Sequence, residues 1–493
     1  MRRAALWRLG APFLLAGLGG CMLGPDYVRP KVDVPATFRF QSAEMEDVAN
    51  HAWWEQFQDP ALNDLIAAAL AENRDVKIAS ARVDEFLGQF VSTRSALFPQ
   101  IGAGFDASRQ RSSQSGPVPL PSTVPPVSNQ FQARLSASWD IDLFGKVRRE
   151  TEAARANLLA SEDARRATIL TLVASVASSY ITLRSLDRQL EIAKATTASR
   201  AESVRVFTVR FKGGEVSQME LAQSQSEYEA TQAAIPQLET QIAQQEDALS
   251  VLLGRNPGAI VRGRELAALA TPAVPAGLPS DLLERRPDLL QAEQNLVAQN
   301  ALIGAARALY FPSISLTGLF GTVSSRFSNL FTGPARVWSF AGSVTVPIFT
   351  GGNIAGQVRQ ANARQQQALY SYQKAIEVAF QQVEDALITL QKSREQLDTQ
   401  GRQIGALRTY ERLARMRYEE GYTSYIEVLD AERTLFNAEL SYTQTRDTTL
   451  TSLVNLYMAM GGGWVVTAER MTVPQPAAAG EPVAAAPGAG VPR

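Results

Sequence analysis

The sequence is short of nearly every residue on which catalysis or covalent cross-linking rests. Its 493 residues include one Cys and one His. One Cys rules out an internal disulfide framework, and one Cys with one His rules out a Cys/His zinc cluster. The single His, His51, sits in Asn50-His51-Ala52-Trp53-Trp54 with no nucleophile motif nearby, so a hydrolytic triad has nothing to build on. No P-loop or metal-ligand motif is present. Neither an enzyme nor a bound metal or cofactor is therefore expected. Basic surplus is missing as well: 48 Lys and Arg stand against 49 Asp and Glu, for a net charge of −1. Such a chain cannot neutralise a phosphate backbone, which excludes a nucleic-acid partner. With 45% hydrophobic residues, it reads as globular and not as a bundle of membrane helices.

What is there begins with an address. Arg2, Arg3 and Arg8 form a charged segment, followed by the apolar Leu9 to Leu18. Ten residues are too few for a bilayer core that needs about 20, so residues 1–20 read as a signal peptide. The segment ends Leu18-Gly19-Gly20-Cys21, which resembles the bacterial lipobox, in which Cys is acylated and becomes the mature N-terminus. The alternative is an ordinary signal peptide that ends near a Cys. By the lipoprotein sorting rule, Met22 in place of Asp directs the protein to the outer membrane. Acyl chains at about 0.8 kcal/mol per buried methylene make a durable tether.

The mature chain is one plan used twice. Arg94-Ser95-Ala96-Leu97-Phe98-Pro99 recurs 213 residues later as Arg307-Ala308-Leu309-Tyr310-Phe311-Pro312. Ile169, Val176, Leu183 and Leu190 stand seven apart and resume at Val204 and Phe211. Ile376, Val383, Leu390, Leu397 and Tyr418 match five of these at an offset of 207, and Ile404 keeps the same count of seven. Sustained heptads mean a coiled-coil seam. Residues 146–212 hold neither Gly nor Pro, and as one helix they would span about 100 Å. Residues 353–420 form a second run without Pro, interrupted only by Gly356, Gly401 and Gly405. Each run ends at a Gly turn and is followed by a second helical segment, 215–253 with Pro236 inside it, and 422–460. Globular helices average about 11 to 12 residues, so these helices are built to span a distance.

Between the helices the period changes to two. Phe131, Ala133, Leu135, Ala137, Trp139, Ile141 and Leu143 alternate with polar residues, and residues 100–110 form the partner strand across a Pro/Ser-rich loop at 111–128. The second copy places strands near 313–326 and 337–349, with Trp338, Phe340, Val344, Val346 and Ile348 on one face. A soluble hairpin over a core would show the same alternation. A transmembrane β-barrel fits strands of this length with aromatic ends. Four strands cannot close a barrel, which takes about eight at least, and open edges are not tolerated in lipid. Transmembrane strands here therefore require an oligomer that shares one barrel.

These features together resemble the TolC-like outer-membrane efflux channels, lipoprotein branch. The residues that carry the match are Gly24-Pro25-Asp26-Tyr27 with Val28-Arg29-Pro30; Trp53-Trp54, Phe57, Asp59, Pro60 and Leu62, which open the first helix; and Leu278 to Leu283 leading to Arg285-Arg286-Pro287-Asp288. Tyr418, Gly421, Tyr425, Leu429, Asp430, Ala431, Arg433 and the stretch from Leu456 to Trp464 complete it. The likeness runs from Cys21 to about Thr467.

The resemblance implies an α+β membrane protein: a homotrimer with one 12-stranded outer-membrane β-barrel over a periplasmic α-barrel of long helical hairpins. It divides the chain into a lipid-anchored segment at 21–60, a first repeat at 61–254 with its β-hairpin at about 100–144, and an equatorial linker at 255–286. A second repeat follows at 287–460 with its hairpin at about 313–350, then an equatorial segment at 461–473 and a disordered tail at 474–493. The implied role is the passive exit duct of a tripartite efflux pump for small molecules. Its partners would be a periplasmic adaptor (membrane fusion) protein and an inner-membrane transporter of the RND type, with outer-membrane lipid held through acylated Cys21. Two other readings are a protein-secretion duct and a lipid-anchored periplasmic coiled-coil scaffold, the latter leaving the alternating strands unexplained.

The resemblance also implies sites. Tyr418, Ile426, Asp430 and Arg433 occupy the positions of the periplasmic gate. Three copies of Asp430 would make a carboxylate ring that attracts cations, and Ile426, one helical turn away, an apolar constriction. Tyr418 and Arg433 would hold the closed state by hydrogen bonds to neighbouring helices. The bland alternative is a solvated Asp430–Arg433 pair worth about 0.2–0.5 kcal/mol. The turns Gly213-Gly214-Glu215-Val216, with Ser217, and Gly421-Tyr422-Thr423-Ser424 resemble adaptor-docking tips, where Gly permits close backbone approach. Glycine also simply ends helices.

Overall fold

The alternating segments form one antiparallel sheet in the computed structural model, which describes residues 22–40, 45–46, 52–113, 125–275, 279–461 and 465–472. The signal peptide, Cys21, His51 and the tail at 474–493 lie outside the described residues. The longer helices are α1 (Pro60–Glu72), α2 (Arg74–Ser95), α3 (Lys146–Lys212), α4 (Gln218–Leu252), α5 (Pro287–Ala308), α6 (Asn353–Glu419), α7 (Tyr425–Ala459) and α8 (Val465–Thr472). The long strands are β1 (Gln100–Arg111), β2 (Val127–Ile141), β3 (Ser313–Ser324) and β4 (Arg336–Thr345), and Met45–Glu46 pairs in parallel with Val274–Pro275 as a separate two-residue ladder. The long strands pair in the order β1-β2-β3-β4, all antiparallel.

The chain divides into two compact units, each drawing on both repeats. The first contains residues up to 32, 81–162 and 291–375, and holds the whole sheet. Register follows the alternation: Ala103, Leu135, Phe320 and Trp338 stand in one cross-strand row, and Gly104, Arg134, Gly321 and Val337 in the next. Apart from Phe327 of the β3–β4 loop, which packs on Phe105 and Phe131 at one end, no described element covers the apolar face, and Phe340 is 80% exposed. An apolar sheet face left open in this way is a surface that something else must cover.

The same unit straps down the chain that follows Cys21. Arg149, buried on α3, donates from Nε to the carbonyl of Leu23 at 3.0 Å and from Nη2 to Asp26 at 2.8 Å. Asn300 donates to the Pro25 carbonyl, and Tyr27 and Arg29 both donate to the carboxylate of Glu293. Burial and the Glu293 charge push the Tyr27 hydroxyl well above the usual phenol range. A side chain on Gly145 would strike Met22, so the residue after Cys21 rests against the bend that joins β2 to α3.

The second unit contains 33–80, 163–290 and 376 onward. Its core gathers Trp53, Phe57, Leu62 and Ile66 against the heptad positions Ile169, Val176, Leu183, Val383 and Leu390. Trp53 stacks on Tyr457 with ring centroids 5.1 Å apart. α3 is long and apolar enough to cross a membrane, but 67% of its most apolar window is buried, so packing accounts for that hydrophobicity. Trp53–Phe57 form a 3-10 turn and do not open α1; Asp59 does, accepting from Ala61 N at 3.0 Å as its N-cap. Asp59 also accepts from Tyr180 Oη at 2.7 Å and Arg264 N at 2.9 Å. Arg286 stops α7 by donating to the Ala459 carbonyl, while holding Asp288 through two bonds.

Candidate functional site

The gate-position residues cluster where α6 turns into α7. Ser424 accepts from Ile426 N at 3.3 Å and starts α7 as its N-cap. From there the helix presents two faces. Tyr425, Val428, Leu429 and Ala431 are buried, whereas Ile426, Asp430 and Arg433 point outward. The spacing of four and three residues puts the outward trio on one stripe, and all three line one cleft with Gln223 of α4 and Tyr410 of α6. Arg433 Nη2 donates to Asp430 Oδ1 at 2.9 Å along the same helix, with both side chains about half exposed. Thr434 donates to the Asp430 carbonyl at 2.7 Å.

Tyr418 lies on the packed side. Its ring meets Phe207 of α3 at 6.2 Å and Tyr425 at 5.1 Å, and Phe207 meets Tyr425 at 4.1 Å. Its hydroxyl accepts from Arg210 Nη1 at 3.2 Å. The first hairpin is thus pinned to the second within one chain, through an aromatic trio and one charge-assisted hydrogen bond.

Behind this layer lies a set of charges that sequence reasoning missed. Arg200, buried on α3, donates to the Glu227 carbonyl at 2.7 Å and pairs with the Glu227 carboxylate at 2.9 Å. Arg415 bridges Glu411 at 2.8 Å and Glu432 at 2.6 Å. Burial raises the Glu432 carboxyl above its usual range, and Arg415 and Arg200 only partly oppose that. Burial likewise raises Tyr425. Only the i,i+4 spacing of Glu411 and Arg415 was visible beforehand; the cross-helix partners have no periodic signature.

The two tips are built alike. Gly214 and Gly421 have φ of 75° and 76°, the left-handed conformation that ends a helix at little cost only for glycine. Gly213, Glu215, Tyr422 and Ser424 are exposed, and Val216 and Thr423 are half-buried. Ser217 caps α4 in a full capping box with Glu220. Hence the second helices begin at Gln218 and Tyr425, three residues later than periodicity alone suggests.

The model of the outer membrane efflux protein family matches residues 65–255 and 278–462. The chain is 38% identical over 460 residues to the toluene efflux pump outer membrane protein TtgC of Pseudomonas putida, covering 91% of this chain and 93% of that protein. It is 36% identical over 463 residues to the cation efflux system protein CusC of Escherichia coli, covering 92% and 98%. The solved outer-membrane channel OprN superposes with a TM-score of 0.83 at 30% identity, covering 90% of this chain and all of that one.

Proposed function

The chain belongs to the outer membrane efflux protein family, and from that premise we propose that it is the outer-membrane exit channel of a tripartite efflux pump, extending into the periplasm. The observation that carries this reading is the sheet. It has four strands, an apolar and a polar face, no covering layer among the described residues beyond Phe327 at the loop end, and two unpaired edges, β1 and β4. In lipid both edges must be paired, and pairing β4 of one copy with β1 of the next closes 12 strands in a homotrimer. The apolar row then faces lipid and the polar row a water-filled lumen.

Cys21 carries the acyl chains, and the anchoring of Met22 beside Gly145 at a strand end holds that lipid at the membrane surface. Small molecules enter from the periplasm, delivered by an inner-membrane transporter of the RND type through a periplasmic adaptor. The adaptor docks at the tips around Gly213–Ser217 and Gly421–Ser424. Transport energy comes from the inner-membrane partner. In the resting state Ile426 and Asp430 of three copies converge on the axis: an apolar ring nearest the tip and, one helical turn further along α7, a ring of three carboxylates, which exclude anions and limit flow. Tyr418, held by Arg210, fixes the tilt of the α6–α7 hairpin, and Arg433 holds the Asp430 carboxylate.

Single-channel conductance of the purified protein in planar bilayers tests this, wild type beside Asp430→Ala. Wild type conducts weakly and the variant conducts at least several-fold more. Equal conductance removes the gate assignment, and a protein that never conducts in either form removes the channel reading.

A further inference from the structure

The charge of this sheet is segregated by end. At the end joined to the helices, acidic and basic side chains are mixed: Asp142 receives hydrogen bonds from Val147 N and Arg148 N and pairs with Arg148. At the end joined to the loops they are not. Residues 107–131 and 322–342 contain Arg109, Arg111, Arg326 and Arg336 and no Asp, Glu, Lys or His at all. Four uncompensated positive charges stand there in a chain whose net charge is −1. All four arginines are exposed, and none pairs with a carboxylate among the described residues.

The face they occupy is the informative part. Strand alternation puts Arg109 and Arg111 on the face of Ile101 and Phe105, and Arg336 on the face of Trp338 and Phe340. This is the apolar face. The polar face has its own arginine, Arg134, already paired with Asp106 at 2.9 Å. Beyond the pair, Ser108, Gln110, Ser128 and Gln130 continue that face without charge. Charges serving permeating solutes would line the polar face; these point the other way.

An aromatic floor lies directly beneath them. The loop between β3 and β4 folds back so that Phe327 packs edge-on against Phe131 at 5.7 Å and Phe105 at 6.4 Å. Arg326 is thereby held next to that cluster. Arg109 lies four residues past Phe105, about 13 Å along the strand. Aromatic rings at the boundary of the apolar band with long cationic side chains just outside it is the arrangement of a membrane–water interface.

We propose that Arg109, Arg111, Arg326 and Arg336 form an outward-facing belt that binds the phosphate groups of phosphorylated lipids in the outer leaflet. Guanidinium forks fit phosphate oxygens in pairs of hydrogen bonds, which an ammonium cannot reproduce. Arg109 and Arg111 lie on one edge strand and Arg336 on the other, so the closed barrel brings them together at each subunit boundary, where a bound lipid bridges two copies. The proposal rests on the barrel reading for which face meets lipid.

The test uses the full-length protein in detergent, with bound lipid counted by native mass spectrometry. The probes are bisphosphorylated lipid A and the same lipid without its phosphates. Wild type retains lipid A at concentrations roughly tenfold lower than the dephosphorylated lipid, and millimolar inorganic phosphate does not displace it. Gln at all four positions (R109Q, R111Q, R326Q, R336Q) abolishes the preference, whereas Gln at the exposed helical Arg82, Arg188, Arg402 and Arg412 preserves it. Equal preference in wild type and belt variant overturns the proposal. Displacement by free phosphate overturns the lipid assignment and leaves a general anion site. Should the Gln variant fail to assemble, Lys at the same four positions keeps the charge and must give an intermediate preference; none overturns the belt. Conductance in bilayers without phosphorylated lipid separates the two readings. There the belt variant conducts like wild type, and a silent wild type discards the channel while the lipid comparison still decides the belt.

Discussion

Asp447 on α7 faces Thr182 on α3, whose hydroxyl donates to its carboxylate at 3.2 Å. Burial pushes this carboxyl up to about 6, with the Thr182 bond opposing the rise. The unfolded value is about 4, so between those limits the folded state holds the extra proton. Stability therefore falls as pH rises from about 4 to about 6 and stays lowered above that. Asp447→Asn removes the penalty: the variant melts higher than wild type at pH 8, and the gap narrows sharply at pH 4.5, as thermal denaturation at both values will read. At Gly263 the pressure is steric. A Cβ there would overlap the Asp59 carboxylate, which already serves Ala61, Tyr180 and Arg264. Gly263→Ala must break that buried set at a cost of about 2–4 kcal/mol. A midpoint in denaturant equal to wild type would contradict it.

At the scale of elements, local chemistry decides where each one stops. β2 starts four residues before Phe131, because Ser128, Asn129 and Gln130 pair with Gln110, Arg109 and Ser108 beyond the apolar stretch. It ends at Ile141 and leaves Leu143 out, since Asp142 turns to cap α3. β4 ends at Thr345, short of the expected 349: Pro347 has no N–H to give a ladder. Helices obey the same logic through their caps. Ser217→Ala removes the capping box of α4 and costs about 1 kcal/mol. Thermal melting should show it, while Gln218→Ala one residue on changes the midpoint by much less. Pro236 sits inside α4 without ending it.

For the whole molecule, the two repeats do not become two bodies, because each compact unit takes segments from both. Four strands with two open edges then predict the assembly: multi-angle light scattering in detergent will give three protomers, and a substitution of Pro into β4 at Phe340 will leave mostly dissociated chains. Intact-mass measurement of the mature N-terminus will show acyl groups on Cys21, absent in Cys21→Ser.

The sequence by itself determined what is periodic or local: the duplication, the long helices and the glycine turns between them, the alternation that makes one sheet face apolar, and the lipobox-like Cys21. These are written in residues a few positions apart, where backbone sterics and burial act directly. Only the tertiary structure decided that β2 pairs with β3 across the two repeats, that Arg415 holds Glu432 while Arg149 holds Asp26, and that four arginines share the sheet's open end. A hydrogen bond or ion pair between residues far apart in sequence is chosen by distance in the folded chain. Periodicity along the chain carries no record of that choice.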